Sequence, residues 1–400
     1  MTDKYAIRFT AISFYTLAIA IFVSVSLLSV YHLLTLIAFV LLFSRKEINF
    51  KNLPASAWAL FAFIAAQLLS AAVNFAELEE KSRSIGSIKY PLIAILCLTL
   101  LRYQKLSDDE FFKKHSQIAF NVFLATIIIT FAYGFTKVKV ASDLLNGNDF
   151  RVGGFTDVMR YGYGSGLILL VLLATALNIQ KFPKLNKAFL WLTFAIGFAG
   201  MYLSYTRGAM LGFLLGIPVV FFFFNKRLSV VIGLVSVAMI SLMIIISFKG
   251  GSTYSRFFLS SKSGSNSERM SQYLSAIHAF KERPVFGFGP QQLKFHVKEI
   301  KEKYNLENKH YIEHAHNIYL EIAANTGIIG LLAFLTWLGL WCKDLFYQSN
   351  TLAKQIFLPV ILFILVAGQF EMLLMAQTSS IIYFFYALSH HKFFKTEIAA

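Results

Sequence analysis

Two histidines, His314 and His316, stand where the stretch IEHAHNIYLEIAANTGIIGLLAF (312–334) changes from a polar loop to an apolar run. Ionisable groups beside a membrane segment are costly and usually face protein or a water-filled cavity. Neutral imidazole is well suited to accept a proton near neutral pH, so His316 is one candidate for a general base. The alternative is an interfacial anchor. On a continuous helix the ring of His314 would point in another direction, which leaves it a supporting role.

Three arginines could bind phosphate near this histidine. Arg207 lies in the short hairpin SYTRG, Arg269 opens a predicted amphipathic helix, and Arg151 precedes VGG. A guanidinium stays charged and can bind two phosphate oxygens at once. The alternative for each is an arginine that extends along apolar surface to the membrane interface.

The chain that positions these groups is strongly apolar. Of its 400 residues, 57% are hydrophobic and only 14% are charged, which is outside the range of a soluble domain. Apolar runs of about 20 residues without strict alternation predict transmembrane helices and not barrel strands. We therefore predict an all-α polytopic membrane protein, one domain of residues 1–400 with a long loop at 249–315 that contains short helices. Twelve spans are predicted near residues 8–24, 27–44, 55–74, 87–102, 117–136, 163–180, 187–204, 208–224, 228–248, 316–342, 355–373 and 376–390.

Lysine and arginine concentrate in alternate short loops, such as RKEINFK and RYQKLSDDEFFKK. Because basic loops stay on the cytoplasmic side, we predict that both termini are cytoplasmic and that the long loop lies outside. Much of the formal net charge of +16 follows from this topology, so it does not indicate nucleic-acid binding. The two cysteines, Cys97 and Cys342, lie in or near apolar runs and predict neither a disulfide nor a metal site.

The long loop has a pattern of its own. Residues 270–280 have helical periodicity and predict an amphipathic helix on the membrane, and RPVFGFGP predicts a turn after it. The loop holds 11 basic residues between 249 and 309 and 6 glutamates between 268 and 313. This excess of positive charge predicts an anionic partner.

The pattern HN, nine residues, G, two residues and G is formed by His316, Asn317, Gly327 and Gly330. From the residues alone, the two glycines let neighbouring helices approach. Together with SYTRGAMLGF, SERMSQYLSAIHAFKERPVFGFGP and FRVGGFTDVMRYGYGSG, the pattern resembles O-antigen ligases, the WaaL family within the O-antigen ligase and polymerase superfamily. The resemblance covers most of the chain.

This resemblance implies transfer of a polymerised glycan from undecaprenyl diphosphate to a terminal sugar of the lipid A-core oligosaccharide. The reaction would take place at the periplasmic face of the bacterial inner membrane. His316 would be the base in a direct, inverting attack, while Arg207 and Arg269 would hold the diphosphate of the donor. The scheme requires no metal and no cofactor, and its partners are the two glycolipids and membrane lipid. The further predicted substrate-binding residues are Arg151, His314 and Asn317.

Two other functions remain open from the sequence. A Wzy-like polysaccharide polymerase shares these motifs and would use a second lipid-linked glycan as acceptor. A polyprenyl-lipid or ion transporter would require charged residues within the spans. Glu371, in GQFEMLL, is the main candidate for such a residue, and its simplest role is a buried, hydrogen-bonded carboxyl. The identity of the sugars and the oligomeric state also remain open.

Overall fold

The computed structural model describes residues 2–48, 50–137, 151–182, 184–249, 265–306, 314–348 and 350–391. Over these residues the regular elements are α-helices and two 3-10 turns, Phe50–Asn52 and Ile179–Lys181. This confirms the predicted all-α class. The α-helices are α1 (Thr2–Val23), α2 (Val25–Phe43), α3 (Ala55–Val73), α4 (Lys81–Gly86), α5 (Lys89–Leu101), α6 (Gln104–Asp108), α7 (Glu110–Lys137), α8 (Val158–Leu177), α9 (Lys187–Leu203), α10 (Arg207–Phe222), α11 (Lys226–Lys249), α12 (Ser265–Glu282), α13 (Leu293–Lys303), α14 (Ile318–Tyr347), α15 (Thr351–Ala367) and α16 (Ala376–Ser389).

Each predicted span coincides with one of these helices. Seven stretches among the described residues are long and apolar enough to cross a membrane: α1, α2, α3, α4 with α5, α7, α8 and α14. The shorter apolar helices are α9, α10 and α15. The chain is therefore polytopic, and the count of twelve spans remains a prediction. The first two predicted spans, 8–24 and 27–44, are confirmed as separate helices packed against each other, because Ser24 is extended and its hydroxyl caps α2.

The turns between helices gather at two opposite ends of the bundle. At one end, which we call the site end, Ser70 of α3 donates a hydrogen bond to the carbonyl of Phe286, and Arg151 donates one to that of Ser204. At the opposite end, Lys105 pairs with Asp3 and Glu47. The loops predicted to lie outside meet at the site end, and those predicted to be cytoplasmic meet at the other.

Helix α8 lies at the centre of the bundle. Its residues are buried without interruption from Tyr161 to Ala176, and it packs against α9, α10, α15 and α16. Helix α11, in contrast, leaves Val230 and Leu234 63% and 67% exposed. A contiguous apolar surface of this kind is typical of contact with lipid.

The long loop contains two helices that pack onto α14. Residues 250–264 and 307–313 of the predicted loop lie outside the described residues. The predicted amphipathic helix is confirmed as α12, although its predicted apolar face is only half-buried and the fully buried face is made of small and polar residues. Helix α13 was not predicted, although Leu293, Val297 and Ile300 repeat at helical spacing and are buried against α12 and α14.

Candidate active site

The histidine segment is an extended turn and not the first turn of a helix. Helix α14 begins at Ile318, after Asn317, whose side-chain oxygen accepts hydrogen bonds from the amides of Tyr319 and Leu320. His316 has a φ of 46°, in the left-handed region that non-glycine residues rarely adopt. The predicted start of this span near residue 316 is therefore confirmed to within two residues. The chain keeps His316 outside the helix because Asn317 caps it.

Glu371 brings the two histidines together. It lies between α15 and α16, and one of its carboxylate oxygens is 2.7 Å from Nε2 of His314. Nδ1 of His316 is 3.1 Å from each oxygen of the same carboxylate. The two rings are 4.3 Å apart between their centroids. The expectation that the rings point in different directions is wrong, because it assumed a continuous helix.

The charge on Glu371 decides where the ring protons lie. Burial alone would raise the pKa of Glu371, but the hydrogen bonds from His314 and His316 outweigh burial and lower that pKa below its ordinary value. An ionised carboxylate only accepts hydrogen bonds, so Nδ1 of His316 and Nε2 of His314 must both donate. In a neutral ring the lone pair of His316 is therefore on Nε2.

The same three side chains have the composition of a metal site. The candidate ligand atoms of His314, His316 and Glu371 all lie within 4.8 Å of one another. Two ligands bound to a zinc ion at about 2.1 Å each would stand roughly 3 Å or more apart. The 2.7 Å between His314 and Glu371 is shorter than that and matches a charge-assisted hydrogen bond. The geometry therefore fits a hydrogen-bonded cluster better than a metal site.

A second buried carboxylate, that of Glu321, holds the backbone of the histidine segment. It accepts a hydrogen bond from the amide of Ala315, the residue between the two histidines, at 2.7 Å. It also accepts one from the side-chain amide of Asn325 at 2.8 Å. Glu321 is only 5% exposed, so these bonds are made away from bulk water. The bond to Ala315 therefore helps to fix the backbone positions of His314 and His316, its two neighbours.

Helix α14 is broken at Gly327, ten residues after its cap. Gly327 has φ 65° and ψ −167°, a conformation open almost only to glycine. The backbone groups released by the break bond to the turn after α12: the amides of Phe288 and Gly289 donate to the carbonyls of Ala324 and Asn325 at 3.0 and 2.8 Å. The signature glycine and the RPVFGFGP turn therefore form one structural unit.

The arginines lie at the site end, around the turn between α9 and α10. Arg207 is the first residue of α10 and is half-buried. Nε of Arg151 donates to the carbonyl of Ser204 at 2.9 Å, which fixes Arg151 against the same turn. Burial lowers the pKa of Arg151, and the charge of Arg269 lowers it further. Arg207 also interacts electrostatically with both other arginines.

Two tyrosines connect this arginine group to Glu371. Tyr163 is buried and interacts electrostatically with Glu371, Arg269 and Arg151. Burial raises the pKa of Tyr273; Arg269 opposes that shift and Glu371 adds to it. The hydroxyl of Tyr273 donates to the carbonyl of Gln369 at 3.0 Å, two residues before Glu371.

Glycine at position 208 allows the arginine turn to approach this segment. A Cβ at Gly208 would clash with the hydroxyl of Tyr163 and with Cβ of Phe370. The residue after Arg207 therefore lies against the residue before Glu371. The structure brings the predicted arginines and histidines to one region of the site end.

The remaining predicted residues have the following surroundings. The amide of Asn317 donates to the carbonyl of Gln369 at 3.2 Å, while its oxygen caps α14. These contacts give Asn317 a structural role, and its contact with substrate stays a prediction. The sequence reasoning missed Glu371 and Glu321 as partners of the histidines. Their signal in the sequence was a carboxylate inside an otherwise apolar run.

Comparison with known proteins gives one family. Residues 192–335 match the protein-family model described as O-antigen ligase, which confirms the resemblance predicted from the sequence. The match spans the arginine hairpin, the long loop and the histidine segment. A search of the curated proteins finds no match.

Proposed function

Because the chain carries an O-antigen ligase domain, we propose that it transfers a glycan from undecaprenyl diphosphate to the lipid A-core oligosaccharide at the periplasmic face of the inner membrane. His316 is the general base and Glu371 its positioning residue. Arg207 and Arg269 are the diphosphate ligands. The observation that supports this assignment most directly is the contact of Glu371 with Nδ1 of His316 at 3.1 Å.

The proton moves in the following way. A hydroxyl of the acceptor sugar attacks the anomeric carbon of the donor glycan, and the bond from that carbon to the diphosphate oxygen breaks. Nε2 of His316 takes the hydroxyl proton, while the electron pair of the broken bond goes to the diphosphate. The ionised carboxylate of Glu371 stabilises the imidazolium that forms, as a carboxylate does for a catalytic histidine elsewhere. Direct attack inverts the configuration at the anomeric carbon.

The arginines act on the leaving group. Negative charge on the diphosphate grows as the bond breaks, so fixed cations stabilise the transition state more than the bound donor. Arg207 stands at the N-terminus of α10, where the helix dipole also attracts an anion. Arg151 and His314 are proposed to complete the substrate contacts.

Transfer by purified protein tests this function. We expect His316→Ala to reduce transfer of labelled glycan to lipid A-core by at least about a hundredfold, since general acid–base catalysis contributes 10²–10⁴. The matched control is His278→Ala at the same end of the bundle, whose ring stacks on Tyr304. It should retain transfer, and a cooperative thermal melt should show that both variants are folded. Near-normal transfer by the His316→Ala variant would remove this residue as the base.

The nature of the product separates the alternatives. Glycan on lipid A-core identifies a ligase, whereas longer chains that stay on the lipid carrier identify a polymerase. Movement of the carrier across vesicles without any transfer identifies a transporter. Full activity in excess EDTA is expected, because the trio of His314, His316 and Glu371 is assigned here to hydrogen bonding. Loss of activity in EDTA, with recovery on adding a divalent metal, would assign the trio to a metal.

A further inference from the structure

A cavity of about 550 Å³ opens at the site end beside His314. This volume is in the range of sites that enclose a ligand of several hundred daltons. His314 and Glu321 line one wall, so the cavity reaches the histidine cluster directly. Neither the three arginines of the proposed donor site nor His316 is among the lining residues.

The short segment between α15 and α16 separates this cavity from the arginines. Gln369 accepts the hydrogen bond of Tyr273, and Phe370 lies against Gly208. Met372 and Leu374, after Glu371, line the cavity instead. Glu371 therefore lies at the boundary between two regions. The residues just before it contact the arginine side of the site, and the residues just after it line the cavity. This arrangement has room for two substrates, one on each side of the histidine pair.

The mouth of the cavity is basic. Its charged lining consists of Arg83, Lys89, Arg160 and Lys294, with the buried carboxylate of Glu321. Glu80 pairs with both Arg83 and Lys294, at 3.1 and 3.2 Å.

Two further charges complete the mouth. Arg160 pairs with Asp157 at 2.8 Å, and Nζ of Lys89 lies 5.3 Å from the centre of the Tyr90 ring. The four basic residues outnumber their two carboxylate partners and Glu321 together, so the mouth keeps a net positive charge, which favours an anion.

The deeper part of the cavity extends into the bundle, where apolar side chains form much of its lining. Phe63, Ile322 and Tyr383 line it. Phe63 lies ten residues before the end of α3 at the site end, which corresponds to about 15 Å of helix. A ligand that fills both parts must carry negative charge at one end and apolar groups at the other.

We propose that this cavity binds the acceptor, a phosphate-bearing glycolipid whose phosphate groups meet the four basic residues and whose apolar part enters the bundle. The inference builds on the proposed transfer reaction, because it assigns the second substrate to the side of Glu371 opposite the arginines. Two glycolipids have this chemistry: phosphorylated lipid A-core and a second lipid-linked diphosphate glycan. The charges at the mouth recognise the phosphate that both share.

The test is a binding measurement that does not depend on transfer. Lys89→Gln with Lys294→Gln removes two charges, keeps a polar end on each side chain and shortens each side chain by one atom. We expect the parent protein in detergent to bind phosphorylated lipid A more tightly than dephosphorylated lipid A. The double variant should bind phosphorylated lipid A about tenfold more weakly than the parent protein does, which corresponds to the loss of one or two charge-assisted phosphate contacts. The matched control is Lys303→Gln, also on α13 and also paired with a glutamate, Glu282, at 3.0 Å. It should bind like the parent protein.

Kinetics give the second readout. In the double variant the KM for the acceptor should rise about tenfold, while kcat and the KM for the donor stay within about twofold of the parent protein. Unchanged binding of phosphorylated lipid A by a folded double variant would overturn the assignment of the cavity. If the lysine-dependent preference is instead for a lipid-linked diphosphate glycan, the cavity assignment holds and the acceptor is that of a polymerase. Lysine-dependent binding in a protein that transfers nothing would contradict the proposed function and leave the cavity assignment standing.

Discussion

A histidine in left-handed backbone conformation, held by a buried carboxylate, is an energetically expensive arrangement. His316 is followed at once by the cap of α14 and bonds to Glu371, which is only 5% exposed. Such strain persists only where the surroundings over-determine the conformation, and it is common at active sites. Here Asn317, Glu321 and Glu371 each fix one part of the segment. This convergence favours a catalytic role for His316 over that of an interfacial anchor.

The lowered pKa of Glu371 predicts how stability depends on pH. A carboxylate whose folded pKa is depressed contributes stability that is present above its unfolded pKa, near 4.5, and is lost as the pH falls toward the folded pKa. We expect the melting temperature of the parent protein in detergent to fall more steeply between about pH 5 and pH 3 than that of Glu371→Gln. The control is Glu299→Gln, whose side chain is 80% exposed; its profile should follow the parent protein. Parallel profiles for the parent protein and Glu371→Gln would contradict the stabilising charge of Glu371.

Lysine substitutions test whether Arg207 and Arg269 bind phosphate as planar groups. Lysine keeps the charge but cannot bond two oxygens in a fixed fork. We expect Arg207→Ala and Arg269→Ala each to lower kcat/KM for the donor at least about tenfold, with a fall in kcat, because the arginines bind the transition state more strongly than the bound donor. The lysine variants should recover part of this loss. Arg45→Ala, at the opposite end of the bundle, serves as control. Normal use of donor by either alanine variant would make that arginine an interfacial anchor.

The break in α14 at Gly327 joins the loop to the bundle. Ser70 of α3 donates hydrogen bonds to the carbonyls of both Phe286 and Asn325, at 2.6 and 3.0 Å. The side-chain amide of Asn74 donates to the carbonyl of Gly287 at 3.1 Å. Irregular backbone within a membrane bundle requires such partners inside the protein. The turn therefore follows α3 and α14, and it carries α12 with Arg269 into register with the histidines.

Gly327→Ala tests this junction. Alanine is strained at this φ and ψ, and its Cβ would clash with the carbonyl oxygen of Val285. We expect a loss of stability of about 1–3 kcal/mol and a fall in transfer, because the turn no longer fits. Gly339→Ala in the same helix is the control, since its Cβ meets nothing within 4 Å. Thermal melting in detergent should show the control unchanged or slightly stabilised, and equal melting of both variants would contradict the role of Gly327.

The positions of the helices could be predicted from the sequence better than the contacts between them. Apolar runs decide where α2 and α3 form, so their bounds were predicted to within two residues, whereas α1 begins six residues before the predicted span. The contact of Glu371 with His316 joins residues 55 positions apart, and no periodicity records such a pairing. The break at Gly327 was also missed, because a glycine in an apolar run fits close helix packing equally well. The position of helix α13 was not predicted, because its short apolar pattern lies inside a polar loop.

The whole bundle has two chemically different ends. The site end holds the histidines, the arginines and the cavity, and the opposite end holds basic residues such as Lys105 with its partners Asp3 and Glu47. Basic short loops indicate the cytoplasmic side. If both termini are cytoplasmic, the chain crosses the membrane an even number of times. Its connecting loops then alternate between the two ends of the bundle. The opposite end should therefore face the cytoplasm and the site end the periplasm.

Cysteine labelling tests this orientation. In a background with Cys97→Ala and Cys342→Ala, a single cysteine is introduced by Lys303→Cys at the site end or by Tyr347→Cys at the opposite end. Both positions are accessible, with side-chain exposure of 56% for Lys303 and residue exposure of 81% for Tyr347. We expect a membrane-impermeant maleimide to label the Lys303→Cys protein in spheroplasts, and the Tyr347→Cys protein only after the membrane is opened. Labelling of the Tyr347→Cys protein in intact spheroplasts would reverse the orientation and move the histidine cluster to the cytoplasm, where a periplasmic acceptor could not reach it.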